Sequence, residues 1–166
     1  TYKQQASKVL DFSKVTVKYN HEWLGELKFQ EITHLLGHFT VQQMLERDMF
    51  EKRIKEGKPI AMSEFLYPLM QAYDSAFMDV DAEIGGNDQL FNMLCGRTLQ
   101  TAQNRRDKFV LTTKLIEGTD GRKMSKTFDN CIWLEDTAKD MYGKVLSIKD
   151  ELITTYMECT TDIPMD

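Results

Sequence analysis

The sequence predicts an α/β fold in which helices cover a small parallel sheet. Residues 81–84 are predicted to form a buried strand, and the KFVLTTKL run at 108–115 is the best candidate for a parallel strand, with a helical segment at about 87–102 between them. Strands that alternate with helices of this length form βαβ units with parallel strands. The first strand also breaks at Gly85-Gly86 before the helix begins, an order that places ligands at the carboxyl end of a sheet in α/β proteins.

The first 60 residues are predicted to be mostly helical. Residues 2–10 have the pattern of a short helix, and the alternating VTVKY run at 15–19 predicts an edge strand. Residues 22–56 follow a helical pattern, with Thr40 as a cap and Gly57 near the end of the last helix. That helix carries an apolar stripe that packs either in the core or against a second copy of the chain, formed by Val41, Met44, Leu45 and Met49.

A further helix is predicted at residues 63–77, with Ser63 as its cap. Tyr67, Gln71 and Asp74 stand at positions i, i+4 and i+7 and therefore share one face. A buried phenol, amide or carboxylate needs a hydrogen-bond partner. This face therefore indicates either a polar binding pocket or an interior pair of Tyr67 and Gln71 that satisfy each other.

The C-terminal part is predicted to hold two more helices after a polar loop. The first covers residues 137–146, and Ser147 with Asp150 forms a capping signal that opens the last helix. The sequence has no internal repeat, no low-complexity tract and no clear linker.

The composition restricts the class of protein. A length of 166 residues, with 42% hydrophobic and 28% charged residues, is typical of an ordinary globular domain. The net charge of -5 argues against a broad nucleic-acid-coating surface but is compatible with a local basic site. Cys95, Cys131 and Cys159 are widely spaced, which favours reduced, buried thiols in an intracellular protein over a disulfide or zinc framework. No apolar run approaches the ~20 residues of a membrane span.

The loop GRKMSKT at residues 121–127 is a second candidate site. Lys123 and Lys126 stand three apart, Ser125 and Thr127 supply hydroxyls, and two preceding glycines allow the loop to move. Two ammonium groups and two hydroxyls suit a polyphosphate whose charge must be held while a bond breaks. Lysines in a loop are commonly solvated surface, but the position directly after a predicted parallel strand favours the functional interpretation.

Three motifs in this order resemble those of the bacterial-type tyrosyl-tRNA synthetases, which are class I aminoacyl-tRNA synthetases. The KMSKT run is similar to the family's KMSKS motif, with a hydroxyl kept at Thr127. YPLMQAYD at 67–74 and IGGNDQLFN at 84–92 look like the other two motifs. The resemblance covers nearly the whole chain.

For the fold, the resemblance implies the second half of a Rossmann-like nucleotide-binding catalytic domain at residues 1–146. About residues 20–60 would be a helical connecting insert through which these enzymes form homodimers. Residues 147–166 would begin a helical anticodon-binding region. Further family segments are expected before Thr1 and after Asp166, so we expect this polypeptide alone to be inactive.

For the amino acid, the resemblance implies that Asp74 accepts a hydrogen bond from the phenol of the substrate L-tyrosine. Tyr67 and Gln71 would hold its α-ammonium group, and Gln89 would also reach it. The physical argument agrees, because an acceptor buried to meet a phenol is left unpaired by phenylalanine. Such sites reject the analogue by roughly 10⁴–10⁵-fold.

For the nucleotide, the resemblance implies that Gly86 and Asp88 approach the ribose of ATP, which is bound with Mg²⁺. A carboxylate can hydrogen-bond ribose hydroxyls, although Asp88 is also a plausible plain helix N-terminal carboxylate. The loop residues Lys123, Met124, Ser125 and Lys126 would contact ATP. Lys123 and Lys126 would be catalytic, because they would bind the leaving pyrophosphate.

The implied activity is ligation of tyrosine to tRNA(Tyr) through a tyrosyl-adenylate, in the cytoplasm or in an organelle. One alternative is the tryptophanyl enzyme, which shares the loop and the fold. Another is a non-catalytic module derived from a synthetase that only dimerises or binds RNA. The HLLGH run at residues 34–38 is rejected as a metal site, because it lacks a third ligand, and as the family's HIGH motif, because it has an extra residue.

Overall fold

The structure is a computed structural model that describes residues 2–104 and 106–165. The helices are α1 (Tyr2–Ala6), α2 (His21–Leu24), α3 (Phe29–Leu36), α4 (Val41–Leu45), α5 (Asp48–Lys55), α6 (Leu66–Met78), α7 (Leu90–Asn104), α8 (Ala138–Leu146) and α9 (Ile153–Thr160). The strands are β1 (Ala82–Gly86) and β2 (Phe109–Thr113). Short 3₁₀ turns cover Met62–Phe65, Asn87–Gln89, Lys126–Phe128 and Asp150–Leu152. The chain divides into two units. The first unit is Tyr19–Thr113, and the second unit consists of Thr1–Lys18 together with Lys114–Asp166.

The sheet of the first unit consists of β1 and β2 paired in parallel. Ala82 lies opposite Phe109, and Gly86 lies opposite Thr113. The helix α7 connects the two strands, as a parallel pair requires. The predicted α/β class is therefore confirmed, and so are the positions of the two strands and of the helix between them. The strands are not buried as predicted, however, because Ile84 of β1 is 70% exposed and Phe109 of β2 is 75% exposed.

The core of the first unit is formed by α3, α6 and α7. Leu69, Ala72 and Ala76 recur at spacings of three and four along α6 and are buried, as an amphipathic helix requires. They form one cluster with Leu35, Cys95 and Leu99. Burial of this α6 face turns a different face of the helix, which carries Tyr67, Gln71 and Asp74, away from the cluster.

In the second unit, buried side chains anchor the segments around the polar loop. Tyr156 and Leu152 are buried near the C-terminus, and Cys131 is buried after the loop. The hydroxyl of Tyr156 donates to the carbonyl oxygen of Glu117 at 2.6 Å. This bond ties α9 to the segment that leads into the loop.

Several local predictions need correction. The VTVKY run at 15–19 has no regular secondary structure, because alternation specifies a strand only where a neighbouring strand supplies hydrogen bonds. Ser63 is not a cap; the helical segment begins after Ala61, whose N–H donates to the carboxylate of Glu64 at 2.9 Å. Ser147 does not cap the start of the last helical segment, which begins after Lys149; it lies at the C-terminal end of α8, where its hydroxyl donates to the carbonyl oxygen of Lys144.

Other local predictions hold. Thr40 caps α4, accepting from the backbone N–H of Gln43 at 3.2 Å. Gly57, just after α5, has a φ of 65°, as a residue that ends a helix often does. The predicted helical stretch at residues 22–56 is present as four short helices, α2 to α5. The predicted apolar stripe is buried only in part, since Met44 is buried whereas Val41 is 63% exposed.

Cys159 is exposed, which corrects the expectation that all three thiols are buried. Within the described residues, no helix is long and apolar enough to cross a membrane.

Candidate functional site

The predicted pocket residues of α6 lie along one side of the helix. Tyr67 is 55% exposed, whereas Gln71 and Asp74 are half-buried. The guanidinium of Arg47 lies 5.8 Å from the centre of the Tyr67 ring. Tyr67 and Gln71 do not form the interior pair that the sequence left open, because more than half of Tyr67 is exposed and the Gln71 amide donates to Glu83. The face is therefore polar and accessible at its Tyr67 end.

Asp74 is held by two donors from the segment before and within α2. The indole Nε1 of Trp23 donates to Oδ1 at 2.6 Å, and Nδ2 of Asn20 donates to Oδ2 at 3.1 Å. Trp23 is buried, and its ring stacks on Phe77 of α6 at 4.8 Å between ring centres. A carboxylate has about four acceptor positions, so each oxygen can accept one further hydrogen bond. The carboxylate is thus fixed in place and still able to meet a ligand hydroxyl.

Gln71 contacts a buried charged network. Its Nε2 donates to Oε1 of Glu83 in β1 at 3.0 Å, and the hydroxyl of Ser75 donates to Oε2 at 2.7 Å. The ammonium of Lys108 donates to both Glu83 and Ser75, and Lys108 is only 2% exposed. Burial raises the pKa of the Glu83 carboxyl, but the hydrogen bonds from Lys108, Ser75 and Gln71 outweigh it and leave the pKa below its usual value.

The end of β1 turns through two glycines into α7. A Cβ at Gly85 would lie 3.2 Å from Sδ of Met93, so this position leaves little room for a side chain. Asp88 is exposed, and Gln89 is half-buried. The amide oxygen of Gln89 accepts from Nδ2 of the buried Asn92 at 3.2 Å, and its Nε2 donates to Asp88 at 3.3 Å. The turn therefore carries Asp88 and Gln89 at the carboxyl end of β1.

In the second unit, the loop with Lys123 and Lys126 is folded around Asn130. Asn130 is 3% exposed; its Oδ1 accepts from the backbone N–H of Ser125 at 2.9 Å, and its Nδ2 donates to Asp120 at 2.8 Å. The hydrogen bond from Asn130 and that from the backbone N–H of Arg122 hold the pKa of the Asp120 carboxyl below its usual value.

The side chains of the motif point outward from this folded loop. Lys123, Met124 and Lys126 are exposed, and Ser125 is half-buried. The hydroxyl of Ser125 accepts from the backbone N–H of Thr127 at 3.2 Å. The two ammonium groups are thus available to an anion while the backbone between them is held in one conformation.

Sequence reasoning missed four residues that organise these sites. Asn20 and Trp23 hold Asp74 but stand 51 or more positions before it, and no local pattern links them. Lys108 and Glu83 lie in the two segments that were predicted as strands, and no local pattern links them. The histidines of the HLLGH run contact each other edge to face at 5.3 Å between ring centres. Among the described residues, no group of three His, Cys, Asp or Glu side chains could hold a metal ion.

The family model described as tRNA synthetases class I (W and Y) matches residues 1–166. The chain belongs to this family. A protein of Thermotoga maritima named tyrosine–tRNA ligase is 52% identical over 165 residues, which cover 99% of this chain and 41% of that protein. The tyrosine–tRNA ligase of Carboxydothermus hydrogenoformans is 46% identical over 167 residues, covering 100% of this chain and 41% of the relative. The chain thus spans about two fifths of the length of these curated relatives.

A solved structure agrees with the family's fold. The tyrosyl-tRNA synthetase of Archaeoglobus fulgidus, complexed with L-tyrosine, is 22% identical with a TM-score of 0.70. The likeness covers 96% of this chain and 52% of that one. At this identity, the likeness concerns the fold alone, and it supports the Rossmann-like α/β architecture of class I synthetases.

Proposed function

We propose that this chain takes part in ATP-dependent ligation of L-tyrosine to tRNA(Tyr). The observation that carries the proposal is its 52% identity, along almost its whole length, to the tyrosine–tRNA ligase of Thermotoga maritima. The polar face of α6 supports tyrosine rather than tryptophan as the substrate. It carries a carboxylate that can accept from a phenol, which an indole lacks.

In the proposed pocket, Asp74 accepts the hydrogen bond of the substrate's phenol hydroxyl. Trp23 and Asn20 occupy one acceptor position on each oxygen and so keep the carboxylate from turning away. Tyr67 and Gln71 hold the α-ammonium group. The NH₂ group of Gln71 faces Glu83 and donates to it, so the amide oxygen is the atom that can accept from an ammonium. Gln89 contacts the tyrosine from the turn after β1.

In the proposed reaction, the carboxylate of tyrosine attacks the α-phosphate of ATP, and the bond to the β-phosphate breaks. Pyrophosphate leaves. A hydroxyl of the terminal ribose of the tRNA then attacks the acyl carbon of the tyrosyl-adenylate, the bond to the phosphate oxygen breaks, and AMP leaves. No side chain acts as a nucleophile, so the protein positions the reactants and stabilises charge. Gly86 and Asp88 approach the ribose, while Lys123 and Lys126 neutralise the leaving pyrophosphate of Mg²⁺-bound ATP. Met124 and Ser125 complete the ATP contacts of the loop.

We also propose that about residues 20–60 form a connecting insert through which two copies pair. Phe29, 85% exposed, and Val41, 63% exposed, support such a contact because both are large apolar side chains at the surface of this segment. Residues 147–166 would begin an anticodon-binding region, and the cytoplasm is the expected compartment.

The test uses pyrophosphate exchange in a chimera, in which this chain replaces the matching segment of the Thermotoga maritima relative. Asp74→Ala should remove most of the preference for tyrosine over phenylalanine, which pockets of this kind set at roughly 10⁴–10⁵. Glu26→Ala, at an exposed carboxylate, should leave the preference intact. An unchanged preference in Asp74→Ala would refute the pocket.

The same assay tests the loop. Lys126→Ala should slow adenylate formation by roughly 2–4 kcal/mol of transition-state stabilisation while leaving tyrosine affinity near normal. Lys139→Ala, at an exposed lysine of α8, is the matched control. A large loss of tyrosine affinity in Lys126→Ala would show that this lysine serves a different role.

A further inference from the structure

A buried ion pair lies behind the proposed amino-acid pocket. The Lys108 side chain has no exposed surface, and that of Glu83 is 21% exposed. The two groups lie on different elements, since Glu83 belongs to β1 and Lys108 immediately precedes β2. A third member, Ser75, is 3% exposed and bonds to both. The network therefore fixes the Glu83 carboxylate from two sides.

The network also fixes the direction of the Gln71 amide. Oε2 of Glu83 accepts from Ser75 and Lys108, whereas Oε1 accepts from Nε2 of Gln71. An ionised carboxylate has no proton to donate, so only the NH₂ end of the amide can face it. The amide oxygen of Gln71 must then point the other way.

The surrounding packing leaves the ammonium of Lys108 little freedom. A Cβ at Gly96 of α7 would come within 3.0 Å of both Nζ of Lys108 and Oγ of Ser75. The space occupied by the ammonium thus exists because this helical position carries no side chain. Four separate segments of the first unit meet at this point.

We propose that Glu83, held by Lys108 and Ser75, is a positioning residue that keeps the Gln71 amide oxygen aimed at the ammonium group of the amino-acid substrate. This inference rests on the proposed function, because it takes the α-ammonium of tyrosine as the group that Gln71 meets. Glu83 does not need to touch the substrate. It acts by excluding the opposite orientation of the Gln71 amide.

The first experiment tests the orientation itself and uses the 166-residue chain. In ¹⁵N–¹H spectra, the side-chain amide protons of Gln71 should exchange with solvent at least about tenfold more slowly than those of Gln42, which is exposed. The double variant E83L/K108M removes both buried charges and the acceptor, so exchange should approach that of Gln42. In E83Q/K108M the amide at position 83 can accept from Gln71 in one orientation and donate to it in the other, so exchange should be intermediate. Equal exchange at Gln71 and Gln42 in the unsubstituted chain would overturn the proposal.

The second experiment tests the consequence for binding in the Thermotoga chimera. Tyramine carries the phenol and an ammonium, whereas 4-hydroxyphenylpropionate carries the phenol without one, and both are measured as inhibitors competing with tyrosine. E83L/K108M should raise the inhibition constant of tyramine by about ten- to a hundredfold, the range for a lost hydrogen bond to a charged group. It should change the inhibition constant of 4-hydroxyphenylpropionate by no more than about twofold. E83Q/K108M should restore the affinity for tyramine only in part, because a glutamine at position 83 can also donate to Gln71 and so does not exclude the opposite orientation.

The outcomes separate this proposal from the proposed function. A purely structural ion pair would weaken both inhibitors alike in E83L/K108M, and that result would overturn the positioning role. If Q71A weakens tyramine but E83L/K108M does not, the pocket stands and the role of Glu83 falls. If Q71A changes neither inhibitor, the pocket assignment itself is wrong.

Discussion

Substitution of Gly96 by alanine is a stringent test of the buried network. In the middle of a helix this change ordinarily stabilises a protein by roughly 0.5–1 kcal/mol, because glycine costs that much more backbone entropy. Here the added methyl would come within 3.0 Å of the Lys108 ammonium and the Ser75 hydroxyl. The Lys108 side chain has no exposed surface, so its ammonium has no open space to move into.

The magnitude follows from a cost and the opposing gain in helix propensity. Overpacking alone costs about 1–3 kcal/mol, but where the methyl separates the ammonium from its carboxylate the cost is that of a broken buried ion pair, about 3–5 kcal/mol. Even after the gain in helix propensity, we expect Gly96→Ala to lower the free energy of unfolding by about 2–4 kcal/mol. Gly143→Ala in α8, where a Cβ would meet nothing within 4 Å, should instead stabilise by up to about 1 kcal/mol.

Urea denaturation followed by circular dichroism measures both variants. A double-mutant cycle then assigns the cost: in an E83Q/K108A background the ammonium is gone, so Gly96→Ala should cost less than about 1 kcal/mol. If Gly96→Ala stabilises the chain as much as Gly143→Ala does, the ammonium is not packed against α7 and the reasoning fails.

Three further predictions use other parts of the chain. Iodoacetamide at pH 8 should alkylate Cys159 first and Cys95 last, because burial raises the pKa of the Cys95 thiol to about 11; equal rates by mass spectrometry would contradict this. The pKa of the Glu83 carboxyl lies below its usual value, so the unfolded state binds more protons than the folded state as the pH falls. The urea concentration at the unfolding midpoint should therefore be constant from pH 7 to about 5.5 and decrease below about pH 4. A midpoint that stays constant to about pH 3 would contradict the ion pair. Asn130→Ala should speed tryptic cleavage after Lys123 by about tenfold, since two hydrogen bonds that hold the loop are lost, while Asn87→Ala should leave that rate unchanged.

Features encoded locally were predictable from the sequence. The face of Tyr67, Gln71 and Asp74 follows from the helical period alone, and the structure places all three along one side of α6. The strand β1 was recognisable because it breaks at Gly85-Gly86 before a helix, and β2 because it begins with an apolar run. The roles assigned to these residues remain predictions, because they concern ligands rather than the fold.

Features that depend on distant contacts were not predictable. Trp23 reaches Asp74 across 51 positions, and Lys108 reaches Glu83 across 25. A lysine at the start of a strand is ordinarily solvated, so its burial becomes understandable only once Gly96 is seen to leave space for it. The edge-strand prediction at 15–19 failed for a related reason, since a strand requires a partner that the local sequence cannot specify.

Stability alone does not explain why the first unit buries Lys108 and Glu83. Replacing a buried ion pair by well-packed apolar residues is often neutral or stabilising, by about 1–4 kcal/mol. An apolar pair, however, would leave the Gln71 amide free to turn by half a rotation. In the proposed pocket, its NH₂ group would then face the substrate ammonium, and no hydrogen bond could form because both groups only donate. A carboxylate at position 83 prevents this rotation, and Lys108 in turn offsets the cost of burying that carboxylate. Under the proposed function, the orientation imposed on Gln71 therefore explains the pair.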